Sequence, residues 1–163
     1  MAFDEFHKHC LECKIGQSCG KPHVYAIELR KEILEKKWFR KRNEDYQEGM
    51  LCLYVGQTSH LAKCRASIHQ HWVKGPWENR KGLTYHCYCE GEMVKKAFTK
   101  KTGSSPKVHE FNTALLRGNL FRKFNPIQDG EDREDEEEKL ALHLRQQGYA
   151  VWAGHHDGKS KTQ

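Results

Sequence analysis

Hydrophobic and polar positions along the chain follow two periods. From His23 to Leu29 they alternate, and from Met50 to Val55 they run apolar until Gly56, where the chain can turn. Both patterns suit strands, near 23–29 and 50–55. Beyond the glycine the period lengthens: Leu61, Cys64, Ile68 and Trp72 recur at helical spacing and predict a helix near 59–73, with Thr58 or Ser59 placed to cap its first turn. A further strand is expected near 83–89, a helical stretch near 107–117, a helix near 131–147 and a last strand near 149–153. Together these elements imply an α/β (α+β) fold, a small central sheet, mixed or antiparallel, flanked by helices.

The elements carry candidate chemistry. Arg65 and His69 stand four apart, so they share a helix face beside the apolar stripe. A guanidinium there can grip a phosphate with two hydrogen bonds, and an imidazole can bind phosphate or move a proton. The same spacing also suits the wet surface of an amphipathic helix. Tyr25 and Tyr54 lie on the first two strands and would approach each other if those strands pair. In the later helix, Glu134, Glu137, Ala141 and Leu144 share a face at helical period, while Glu136 and Glu138 should point to solvent. Glu137 is then a carboxylate at the margin of a core, which is costly unless compensated, and a hard divalent cation is a natural compensator. Glu110, with Asn125 downstream, is the rival carboxylate.

Composition narrows the partners. A chain of 163 residues with 37% apolar content can supply one domain with a modest core. It has no apolar run long enough to span a membrane, and its first residues lack a secretory pattern, so cytoplasmic placement is expected. Formal net charge is +6. Residues 129–138 hold eight acids and one arginine; subtracting them from 22 acids and 28 bases leaves 14 and 27, or +13 elsewhere. That excess favours a polyanion. Lys36, Lys37, Arg40, Lys41 and Arg42, interleaved with Trp38 and Phe39, form a basic insertion over 30–48, an excursion able to reach nucleic-acid backbone and stack on a base. Lys63 is a further contact candidate.

Seven cysteines, an odd number, argue against a disulfide framework. Cys10, Cys13 and Cys19, flanked by histidines, offer thiolates at a spacing that structural zinc accepts, and Cys87 and Cys89 could contribute. Cys52 and Cys64 fit a core.

Tyr25, the Tyr54-Val55-Gly56 triplet with its following Gln-Thr, the Arg65-x-x-x-His69 spacing, and Glu137 within Glu-x-x-Leu-Ala followed by Gly-Tyr-x-Val-Trp resemble the GIY-YIG nuclease superfamily. The likeness spans about residues 23–155, after a Cys/His-rich segment over 1–22 and before a flexible tail over 156–163. His23-Val24-Tyr25 keeps only the tyrosine of the first tripeptide, the two tyrosines stand 29 positions apart, and no asparagine follows the glutamate helix; His155 is the nearest substitute. The resemblance implies a DNA endonuclease dependent on Mg²⁺ or Mn²⁺, with the metal on Glu137. It further implies that Arg65 neutralises phosphoryl charge, Tyr25 orients or deprotonates water, and Tyr54 and His69 hold phosphate and water. Cutting both strands of a duplex would need two sites, hence a homodimer. The alternative is a zinc-stabilised nucleic-acid-binding module with an inactive nuclease-like fold.

Overall fold

The computed structural model describes residues 21–59, 61–71, 76–87, 92–100, 107–154 and 157. Cys10, Cys13, Cys19, Trp72, Cys89 and His155 lie outside the described residues.

The alternating segment forms strand β1 (His23–Leu29) and the apolar run forms β2 (Cys52–Thr58), paired antiparallel from His23 opposite Thr58 to Leu29 opposite Cys52. Strand β5 (Asn112–Leu116) joins the other side of β1, antiparallel, and β6 (Ala150–Ala153) joins β2, parallel. The sheet order is therefore β5-β1-β2-β6. The expected mixed α/β class holds. Nearly every residue of β1 and β2 is buried, as required of central strands covered on both faces.

Helix α2 (Ala62–Gln70) follows β2, short helix α4 (Gly118–Phe121) follows β5, and α5 (Arg133–Gln146) precedes β6. No side chain of Thr58 or Ser59 caps α2: its N-cap is Leu61, because Thr58 still belongs to β2 and is buried there. Helix α5 has a true cap, with the Asp132 carboxylate accepting from the backbone N–H of Glu134 at 2.9 Å and of Asp135 at 3.0 Å. Three acids in its first turn also suit the helix dipole.

Two expectations fail in instructive ways. The stretch 107–117 is not helical: a 3-10 turn (His109–Phe111) leads directly into β5. Asn112 and Thr113 draw the backbone away from a helix, since their side chains accept from the N–H groups of Ala114 and Leu115, and Ala114 adopts φ 62°. The basic insertion is no excursion either. Its 3-10 turn (Lys31–Glu35) and short helix α1 (Lys37–Arg40) bury Ile33 and Phe39 completely in the main core, which removes Phe39 from any base-stacking role. Lys36, Lys37, Arg40 and Lys41 stay exposed and Arg42 is half-buried.

Asn43 pins that insertion to the rim of the sheet. Its amide nitrogen donates to the carbonyls of Phe39 (2.9 Å) and Val151 (3.0 Å), and its oxygen accepts from Val151 N–H at 2.7 Å. The side chain thus takes the place that a further strand beside β6 would occupy. Arg145 adds bonds to Val151 and to Asp157, whose carboxylate also accepts from Ala153 N–H at 2.7 Å.

A second hydrophobic cluster lies apart from the main core. Short helix α3 (Trp77–Arg80) leads to a two-stranded ribbon, β3 (Thr84–Cys87) and β4 (Val94–Ala97), whose Tyr85 and Cys87, with Phe98, pack on Leu61, Cys64 and Ile68 of α2. The predicted stripe of α2 therefore faces this ribbon. No helix among the described residues is long and apolar enough to cross a membrane.

Candidate active site

Strand pairing builds the site's floor. Tyr25 stands opposite Gly56, and Tyr54 is two residues from that glycine on the same face, so the two rings are diagonal neighbours. Their centroids lie 6.0 Å apart. The pairing needs glycine at 56, because a Cβ there would stand 2.7 Å from Tyr25 Cζ. Gly154, just after β6, is constrained alike: a Cβ would stand 2.7 Å from Tyr54 Cζ.

Helix α2 lays its cationic face over these rings. His69 Nε2 is 3.0 Å from the Tyr25 hydroxyl, and the His69 ring meets Tyr54 edge-on with centroids 5.0 Å apart. Arg65 lies within hydrogen-bonding reach of the Tyr25 oxygen, as does the Tyr54 hydroxyl. Helix α5 brings Glu137 close enough for its charge to raise the pKa of both phenols. Residues 25, 54, 65, 69 and 137 are thus brought together. Glu136 departs from expectation: it is buried, not solvent-facing, and its carboxylate accepts a hydrogen bond from Lys139 at 2.8 Å. Glu110 is exposed on the 3-10 turn before β5, and Lys63 is exposed on α2.

Burial dominates the electrostatics. It raises the Tyr25 pKa above the ordinary value, against the lowering pull of Arg65, and drives Tyr54 well above it. The phenols are therefore not made acidic by their cationic neighbour, contrary to the expectation for a tyrosine acting alone as base. Burial, then Arg65, then His109 push His69 well below its ordinary value, so its imidazole is neutral at pH 7. Arginine can only donate, so at its contact with Tyr25 the phenolic oxygen accepts. The Tyr25 proton is then directed at His69 Nε2, which leaves His69 protonated on Nδ1.

Within this cluster one buried polar atom, Arg65 Nε, has no hydrogen-bond partner among the described residues. Such a donor is costly unless a ligand accepts from it, and an anionic oxygen is the natural acceptor.

A divalent cation fits the donor set in a limited sense. Glu137 is a hard oxygen donor exposed by only 2%, and Mg²⁺ is commonly held by one or two carboxylates plus water. Among the described residues no group of three or more His, Cys, Asp or Glu side chains could enclose a metal. Cys52, Cys64 and Cys87 are buried, and burial pushes the Cys52 thiol up to about 11, which suits a core filler. Cys87 sits in the second cluster.

Compared with models of protein families, with curated proteins and with solved structures, the chain gives no match. Sequence reasoning missed His109, which lies near His69, and Tyr85, which lies near Arg65. Neither stands at a motif spacing; only the 3-10 turn before β5 and the ribbon bring them near.

Proposed function

We propose that the protein is a phosphodiester hydrolase of GIY-YIG type, a DNA endonuclease using Mg²⁺ or Mn²⁺. One observation carries the reading: Tyr25, Tyr54, Arg65, His69 and Glu137, drawn from four separate elements, converge on a single polar cluster with an unpartnered guanidinium nitrogen. A purely structural polar network would be expected to satisfy its own donors.

The chain's residues divide the work. Arg65 would hold the scissile phosphate and neutralise charge developing on its oxygens. Tyr25 cannot act as a standing phenolate, but it can relay: as water attacks phosphorus and the bond to the leaving sugar oxygen breaks, the water proton passes to the Tyr25 oxygen, the Tyr25 proton passes to neutral His69 Nε2, and the leaving oxygen takes a proton from solvent. Tyr54 would orient Tyr25 through its hydroxyl. Glu137 would hold the cation, which when bound supplies further electrostatic stabilisation. Lys36, Lys37, Arg40 and Lys41 offer exposed cations for the DNA backbone, and cutting a duplex would take two copies.

A second reading, a binding module without catalysis, is favoured by burial: Tyr25, His69 and Glu137 are exposed by 1%, 2% and 2%. Incubating plasmid and single-stranded DNA with purified protein and Mg²⁺ or Mn²⁺ separates the two. The nuclease reading expects cleavage that EDTA, Glu137→Ala and Arg65→Ala each abolish. DNA binding without cleavage of any substrate by folded wild type would leave the binding module.

A further inference from the structure

Among the described residues the ribbon β3–β4 is the one strand pair outside the four-stranded sheet, and its two faces differ sharply. Residues opposite each other in an antiparallel pair share a face. Tyr85 with Lys96 and Cys87 with Val94 form the inner face, where Tyr85 and Cys87 are buried against α2. Thr84 with Ala97 and His86 with Lys95 form the outer face. Thr84, Lys95 and Ala97 are exposed and His86 is half-buried. Two residues of that outer face are small, one is a histidine and one a lysine, and none is a carboxylate.

Lysines flank one end of the ribbon, while Glu92 is exposed just before β4 at the other. Phe98 N–H donates to Leu83 O at 2.9 Å, prolonging the pairing past Thr84 and Ala97, so exposed Lys81 and Lys100 flank that end. Exposed His71, the C-cap of α2, sets its ring 5.7 Å from His86. Ser67 Oγ, on α2, accepts from His86 N–H at 2.9 Å and ties the ribbon to the helix that carries Arg65 and His69. Tyr85, on the inner face, lies near Arg65. The ribbon is therefore fixed beside the arginine of the candidate site.

The geometry points to the outer face of this ribbon as a docking surface for duplex DNA, the substrate class of the proposed nuclease reading, on which this inference rests. A two-stranded ribbon is narrow enough to enter a B-form major groove, with small Thr84 and Ala97 permitting close approach. Lys81, Lys95 and Lys100 meet phosphates, and His71 and His86 supply hydrogen-bonding rings. This surface is distinct from the cations of α1 and is coupled to the site through α2.

The test compares duplex binding by Glu137→Gln protein, used to prevent cutting, with the same protein carrying Lys81→Glu, Lys95→Glu and Lys100→Glu. Fluorescence anisotropy with a labelled 20-base-pair duplex is followed across a salt series. Loss of three phosphate contacts should lower the slope of log affinity against log salt by about 2–3 and weaken binding by roughly ten- to a hundredfold at low salt. Circular dichroism checks that the triple variant stays folded, and Lys36→Glu with Lys37→Glu provides an α1 reference. An unchanged slope in the triple variant overturns the ribbon assignment while leaving the nuclease reading in place. A parent that binds no duplex removes both together. Equal loss of binding to an acidic protein such as heparin-free casein, with no loss for DNA, would reassign the face to a protein partner.

Discussion

Two buried polar clusters sit at different places in this molecule, and they are built to opposite rules. Around Val151, Asn43, Arg145 and Asp157 bond mostly to backbone, and each of the bonds they make closes a donor on an acceptor within the fold. Around Tyr25, the partners are other side chains, burial displaces their proton affinities, and Arg65 Nε has no acceptor among the described residues. The first cluster gains nothing from a ligand. The second leaves one donor open. Energetic completeness therefore separates a fastening from a candidate site more clearly than residue type does, since both clusters contain an arginine and a carboxylate.

That contrast can be broken from either side. Asp157 is 1% exposed at its side chain and pairs with Arg145 at 2.6 Å, so Asp157→Ala should cost about 3–5 kcal/mol of stability, read as a fall in urea midpoint. Arg65→Ala should do the reverse, lowering kcat for DNA cleavage by about 10²–10³-fold while moving the urea midpoint little. Equal stability losses in the two variants would erase the distinction. Asn43→Ala leaves the buried Val151 N–H without its acceptor and should cost about 1–3 kcal/mol, again with kcat per folded molecule unchanged.

The smallest effect concerns pH. Because His69 has its pKa lowered in the folded state, the unfolded chain binds more protons as pH drops below about 6.5. Its contribution is therefore present above that pH and is lost as pH falls towards the folded value. Arg65, His109, Tyr25 and Tyr54 all face or act on this ring, and none supplies a negative charge at neutral pH that would reverse the sign. Urea midpoints at pH 7.5 and 5.5 should differ more for wild type than for His69→Gln; an equal difference would show that His69 is not held neutral.

Much of this was readable from the chain. Strand β1 falls where alternation puts it, and the stripe of Leu61, Cys64 and Ile68 is buried as its spacing requires. The convergence of Tyr25, Arg65 and His69 follows from local periods plus one antiparallel pairing. What escaped is decided by contacts that periodicity does not report. Glu136 is buried at the margin of α5, its carboxylate bonded to Lys139 one turn on. Residues 112–116 read as helical until Asn112 and Thr113 spend their side chains on local backbone and β1 offers an open edge. Asn43 reads as a polar loop residue, yet its role depends on a strand 108 positions away.

The parallel pairing of β2 with β6 sets Cys52 beside Ala150, across 98 positions of intervening chain. During synthesis at roughly 5–20 residues per second, the β1–β2 hairpin waits about 5–20 s before that partner emerges. Its edge is open for that interval, and β-pairing over such separations is slow in any case. Production of the protein should therefore respond to translation speed and chaperone supply more than its finished stability suggests.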